Sequence, residues 1–254
     1  VLEVVPKHGK SLRALARLLQ NTGSADEAVQ MLERDRDQRE GKERAARELE
    51  IAKLQIELKR PGEALAAVKR AFEEIPGDAQ AVAILERLLD IAESRPRAAA
   101  LLEQHYASTG QHDKQAHVLD VLIATAASKG ERSALYDKLV TVHENRGQLG
   151  EAFDVAARAA DEVPGELSMW DRLGVLANKT GRTQAFVDAL VRAVPPEGDS
   201  NLPAAVDMDL SERIATLYDE MLGDVEKATP YLERILARDA GNERALARLK
   251  LILT

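Results

Sequence analysis

The sequence predicts an all-α chain built from stacked helix hairpins, and three observations carry that prediction. Packing residues recur at three- and four-residue spacing. In 133–165, Tyr136, Leu139, Val140 and His143 line one helical stripe, and Ala152, Ala156 and Ala159 line a second. Glycine and proline punctuate the stripes: Gly147 separates them, and Pro164, which lacks an amide donor, ends the second. Ala, Leu, Glu and Arg dominate the composition, while one Trp, four Tyr and three Phe leave little of the aromatic content that favours sheet.

Length and charge bound the function. A chain of 254 residues can bury a large core, and 45% hydrophobic with 31% charged residues describes a folded rather than a disordered protein. A net charge of −8 argues against a nucleic-acid-binding body, which needs clustered basic surface. The absence of cysteine excludes disulfides, thiolate metal sites and a cysteine nucleophile. No run approaches the ~18 apolar residues of a membrane span. Neither an initiator Met nor a signal peptide is present, so processing or truncation is an open question. Rich Ala, Arg and Glu usage with less Lys points to a high-GC bacterial source. A cytoplasmic setting is favoured, with the bacterial periplasm left open.

In chain order, VLEVVP reads as the end of a helix, with Pro6 in a terminating place. A first hairpin follows, with Leu12, Leu15, Ala16 and Leu19, a turn at Gly23, then Ala28 and Leu32; Ser24 or Asp26 is expected to cap its second helix. The charged run ERDRDQREGKER at 33–44 reads as a solvated helix end and linker. A second hairpin carries Ile51, Ala52 and Gln55, then Ala64, Val68, Ala71 and Pro76, with Pro61 at a helix start. Spacing then breaks: one extra or merged helix is expected over 78–93, with Ile84, Leu85, Leu88 and Leu89 apolar. A third hairpin begins at Pro96 with Leu102, Tyr106, Gly110 and Leu119. After the fourth (133–165) and fifth, PPEGDSNLP at 195–203 is the clearest loop. A last hairpin holds Ile214, Leu217, Tyr218, Gly223, Ala228, Leu232 and Ile235, and 242–254 reads as a single further helix, with Leu249, Leu251, Ile252 and Leu253 apolar. About fourteen helices result.

The 133–165 unit resembles the tetratricopeptide repeat, a family whose unit runs to about 34 residues. Tyr136, Leu139, Gly147, Ala152, Ala159 and Pro164 fall at its motif places, whereas Val140, His143 and Ala156 depart from its usual small residue, Tyr and Phe. The next unit strengthens the match: Trp170, Leu173 and Gly174 spell W-x-x-L-G, with Gly181 at the turn. In the last unit one extra residue lies between Tyr218 and Gly223. The resemblance implies a right-handed α-solenoid over 1–254, a single superhelical domain with a concave inner surface. Both ends fall mid-repeat, so a longer parent array is expected.

Motifs of chemistry are few. His112 and His117, five apart, fall on different helix faces and make poor joint metal ligands. Gly9, Lys10 and Ser11 imitate the end of a phosphate-binding loop, but Val4 stands where its first glycine belongs. Trp170 reads as core packing. No catalytic group, metal or cofactor is expected, and an enzyme or enzyme helper domain would need a convergent polar cluster that the sequence does not display.

What remains is the inner surface. The resemblance places Lys10, Arg13, Arg17, Gln20 and Asn21 there from the first unit, Lys53 from the second, and Arg97 and Gln104 from the third. The fourth adds Asp137, Thr141, Glu144 and Asn145, and the fifth Asp171, Asn178 and Lys179. That groove is basic at its N-terminal end, which suits an acidic peptide or a terminal carboxylate, because Arg pairs a carboxylate through two donors. The plainer reading is that these cations merely solvate their helices. The expected function is therefore a non-enzymatic module that binds a partner protein or peptide, without nucleic acid or a membrane span. The alternative is a structural spacer that self-associates within a larger assembly.

Overall fold

Helix α1 (Gly9–Asn21) starts where His8 turns extended and its Nδ1 accepts the Ser11 amide at 3.3 Å. The computed structural model describes residues 8–252, so the expectations for VLEVVP and for Leu253 fall outside the described residues. Within that range the chain is all-α, with fourteen α-helices and no strand. Two compact units divide it, 1–125 and 126–254.

In the first unit α1 turns through Gly23 into α2 (Ala25–Arg36). Ser24 takes the N-cap place but its side chain makes no capping bond, and Asp26 instead accepts Arg60 Nη1 at 2.5 Å; neither caps α2 as the sequence suggests. Helix α3 (Gly41–Glu57) pairs with α4 (Pro61–Glu74), which begins at Pro61 as read from the sequence. Their turn holds Lys59 at φ +58°, a left-handed conformation that glycine adopts at the corresponding turns. Helix α5 (Ala79–Leu88) is capped by Asp78, whose carboxylate accepts the Gln80 and Ala81 amides at 2.9 and 3.0 Å. It stops well short of 93, because Ser94 folds the chain back and its hydroxyl donates to Leu88 O at 2.8 Å. Helices α6 (Arg95–Thr109) and α7 (His112–Thr125) close this unit, hinged at Gly110 (φ +67°). Glu86 on α5 ties them together, accepting Tyr106 Oη and Lys114 Nζ at 2.8 Å each.

The solvated reading of 33–44 needs correction. Asp35 is fully buried, and α3 already begins at Gly41. Arg39 donates to Asp35 through Nε and Nη2 at 3.3 and 3.1 Å; Arg47 and Arg13 stand at 3.3 and 3.8 Å. Beside it Glu48, also fully buried, takes a bidentate pair of bonds from Arg70 at 2.7 and 2.9 Å. The Arg70 fork satisfies both Glu48 oxygens, whereas Asp35 Oδ2 accepts no hydrogen bond among the described residues and is held by the charges of Arg47 and Arg13.

In the second unit α8 (Lys129–Asn145) opens on a reciprocal cap: Ser128 Oγ accepts the Glu131 amide at 3.1 Å, and Glu131 accepts the Ala127 amide at 2.9 Å. Helix α9 (Leu149–Glu162) follows, then α10 (Leu167–Thr180) and α11 (Thr183–Ala193). Trp170 is wholly buried and its indole donates to Pro164 O at 2.9 Å, so it packs the core and fixes the preceding turn. The loop at 195–203 leads to α12 (Ala204–Thr216). The extra residue before Gly223 is absorbed as a π-helical turn, Leu217–Leu222, the usual way for a helix to house a one-residue insertion. Helices α13 (Val225–Arg238) and α14 (Glu243–Ile252) complete the unit.

Candidate functional site

Three grooves share one local geometry. Each lies between two helices that present residues at relative positions 0, 3, 4 and 7, a stripe two turns long. In the first, α1 contributes Arg13, Ala16, Arg17 and Gln20, while α3 contributes Glu50, Lys53, Leu54 and Glu57. Leu32 of α2 forms the floor, and the cavity measures about 270 Å³. Lys53 donates to Gln80 Oε1 at 3.2 Å, so α5 stands beside α3. Glu50 is engaged by Arg47, and Arg13 leans back toward buried Asp35. Arg17 makes no ion pair among the described residues, and it is exposed.

The second groove, about 380 Å³, lies between α4 and α6 and contains Arg97 and Gln104. The third, about 580 Å³, has Asp171, Gly174, Val175 and Asn178 from α10 facing Asp209, Glu212, Arg213 and Thr216 from α12. Arg213 spans its acidic walls, with Asp171 at 2.7 Å and Asp209 at 2.5 Å. The Phe186 ring rises beneath Gly174. Next to this groove Arg172 gathers the polar residues of α8: it donates to Asp137 Oδ1 at 2.7 Å, to Thr141 Oγ1 at 2.8 Å and to Glu144.

The residues singled out from the sequence therefore divide. Arg13, Arg17, Gln20 and Lys53 meet in the α1–α3 groove, whereas Arg97 and Gln104 line the α4–α6 groove. Asn178 and Asp171 line the α10–α12 groove. Lys10, Asn21, Asn145 and Lys179 are exposed and line none of the three. Sequence reasoning missed Arg172 and Arg213, which neutralise the acidic residues it assigned to partner contact; their positions differ from the inner-surface places of the repeat pattern.

A fourth polar centre holds the 195–203 loop. Buried Asp207 on α12 accepts Arg234 at 2.7 and 3.0 Å, Arg238 at 2.5 Å and Ser200 Oγ. Burial alone pushes its carboxyl upward, but hydrogen bonds from Arg234 and Ser200 and the charges of both arginines hold it below the ordinary carboxylate range. Arg234 also donates to Pro195 O and Gly198 O at 3.1 and 2.9 Å. Among the described residues no group of His, Asp and Glu converges as a metal would need, and no helix is long and apolar enough to cross a membrane.

No family model and no curated protein matches the chain. Solved structures do. The C-terminal part of a tetratricopeptide-repeat protein from Cytophaga hutchinsonii is 14% identical, covering 93% of this chain and 98% of its own, with a TM-score of 0.34. The tetratricopeptide-repeat domain of P58(IPK) is 12% identical, covering 97% and 79%, with a TM-score of 0.33. YrrB, described as such a protein with an unusual peptide-binding site, is 15% identical, covering 81% and 92%, with a TM-score of 0.31.

Proposed function

We propose that the chain is a protein-interaction module whose α1–α3 groove takes an acidic peptide segment or a terminal carboxylate. The observation that carries this reading is the meeting of Arg13, Arg17 and Lys53 from two helices on one cavity. A helical-repeat surface offers shape and charge for recognition, and a carboxylate seated among these cations gains charge-assisted hydrogen bonds. Glu50 and Glu57 line the same cavity and oppose the cations, which favours partners whose negative charge is local rather than distributed.

The test is affinity capture from the source organism's lysate, with the native chain run beside an Arg17→Glu, Lys53→Glu chain. Arg13 is left intact, because a carboxylate there would face buried Asp35 and disturb folding. A partner held by the native chain and lost from the double variant supports the reading, and direct titration with that partner's acidic segment then reproduces the difference. Equal retention by both chains refutes the groove assignment.

A second reading has its own observation. Met221 and Leu222 on the π turn, and Leu246 and Leu251 on α14, are 60, 40, 38 and 67% exposed. Large exposed apolar side chains favour self-association. Sedimentation that stays monomeric across a wide concentration range would remove this reading.

A further inference from the structure

We infer that the α4–α6 groove is a second docking surface, independent of the α1–α3 groove, whose occupant is an acidic amphipathic helix of a partner protein. On α4, Gly62, Leu65, Ala66 and Lys69 form one stripe. On α6, Arg97, Ala100, Leu101 and Gln104 repeat the same 0, 3, 4, 7 spacing. Each stripe is about 10 Å long, the length of two helical turns. The spacing matches what a third helix presents, so a partner helix finds ridges at its own period.

The chemistry of the lining narrows the occupant. Leu65 is buried and Leu101 half-buried, forming an apolar floor, while Ala66 and Ala100 are exposed and lack partners above them. Small residues at these places let a helix backbone approach closely. The charged side chains lining the cavity are Lys69 and Arg97, one from each wall, and no carboxylate lines it. Lys69 touches exposed Glu73 at a loose 3.9 Å, and Glu93 stands beyond the Gly62 end, 3.6 Å from where a Cβ on Gly62 would lie. Arg97 is exposed and carries no ion pair among the described residues. A helix with Ala or Leu at 0, 3, 4 and 7 and carboxylates beside that stripe satisfies both walls. The α10–α12 groove offers no such complementarity, because Arg213 already spans its acidic walls.

The experiment uses the whole chain, nitrogen-labelled for NMR, and three stapled helical peptides of about 16 residues, long enough to hold helix once constrained. All three carry the same Ala/Leu stripe, flanked by Glu, Gln or Lys. The expected result is that the Glu peptide binds and shifts the amides of Gly62, Ala66 and Ala100. The Lys peptide should bind about tenfold or more weakly, as like-charge juxtaposition predicts. Lys69→Glu with Arg97→Glu should reverse that preference. Ala100→Trp, an exposed change that leaves the core alone, should block binding, and Arg17→Glu should leave it unchanged. Failure of the Glu peptide to bind, equal binding of Glu and Lys peptides, or shifts at Arg17 and Lys53 instead would overturn the proposal. So would a short DNA duplex shifting the same amides as well as the Glu peptide, because the surface would then read anionic charge alone.

Discussion

Gly174 tests the register of the W-x-x-L-G unit directly. Its backbone is ordinary helix, so the glycine is required for space rather than for torsion. A Cβ added there would lie 3.1 and 3.2 Å from two ring carbons of Phe186, against an optimum near 3.5–4.0 Å. Alanine therefore demands a ring shift of a few tenths of an ångström, a cost that roughly offsets the ~1 kcal/mol helix-propensity gain of removing glycine. Leucine pushes further carbons into a ring that is only 7% exposed. Gly174→Leu should cost about 1–3 kcal/mol, or roughly 2–10 °C in Tm for a chain of this size. Urea denaturation followed by far-UV circular dichroism gives the shift, with the slope monitored because repeat chains depart from two-state behaviour. Phe186→Ala alone should cost about 3–5 kcal/mol, yet combined with Gly174→Leu the loss should fall at least ~1 kcal/mol short of the sum, because the leucine refills the vacated ring space. Additive losses would refute the contact and the helix pairing built on it.

Three further outcomes follow from particular side chains. Lys59→Gly should raise stability by about 0.5 kcal/mol, since a left-handed lysine costs ~1–2 kcal/mol and glycine returns part of that in chain entropy; a loss in the same melt would contradict the positive φ. Asp207→Ala should cost about 3–5 kcal/mol by leaving Arg234 and Arg238 facing a buried void, and a near-neutral thermal melt would show the clamp to be ornamental. The same group sets an acid limit: a carboxyl depressed in the folded state contributes its full stability above the unfolded pKa of about 3.9 and loses it as pH falls below that through its folded value. Acid titration of Asp207→Asn should show a shallower loss than the native chain, and parallel curves would remove Asp207 from that account.

The hairpins were legible because they rest on local rules. Stripe periodicity, glycines at turns and Pro61 at a helix start act within a few residues, and they predicted α1 to α4 and α8 to α13 closely. Even the surplus residue before Gly223 was visible, although its outcome as a π turn was not. Two kinds of feature escaped. Lys59 occupies a glycine place without a glycine, because neighbouring hairpin contacts override its own preference. Asp35 sits in a run whose charge density reads as solvated, and Glu48 just beyond it; Arg47 from α3 and Arg70 from α4, arriving from other helices, offset their burial. The same limit affected the candidate site. Helical spacing assigned Arg97 and Gln104 to a stripe, but which helix faces that stripe depends on where α5 lies, and the sequence left α5 without an address.

Two of the buried carboxylates, Asp35 and Asp207, stand at connections between hairpins, and that placement has a physical reason. A regular hairpin stack satisfies its backbone internally and needs only apolar stripes. A long connection such as 195–203 exposes carbonyls that no helix pairs, and a single guanidinium with five donors can meet a carboxylate and two carbonyls at once, as Arg234 does. Asp35 plays the corresponding part at the α2–α3 connection, gathering Arg39 and Arg47 while Arg13 reaches toward it from α1. Arg13 thereby belongs to both fold and groove. Charge reversal at Arg13 should lower both stability and partner affinity, whereas reversal at Arg17, which has no such anchor, should lower affinity alone. Thermal melts and peptide titrations on the two variants separate these outcomes, and equal destabilisation by both would mean that Arg17 too is held by the fold.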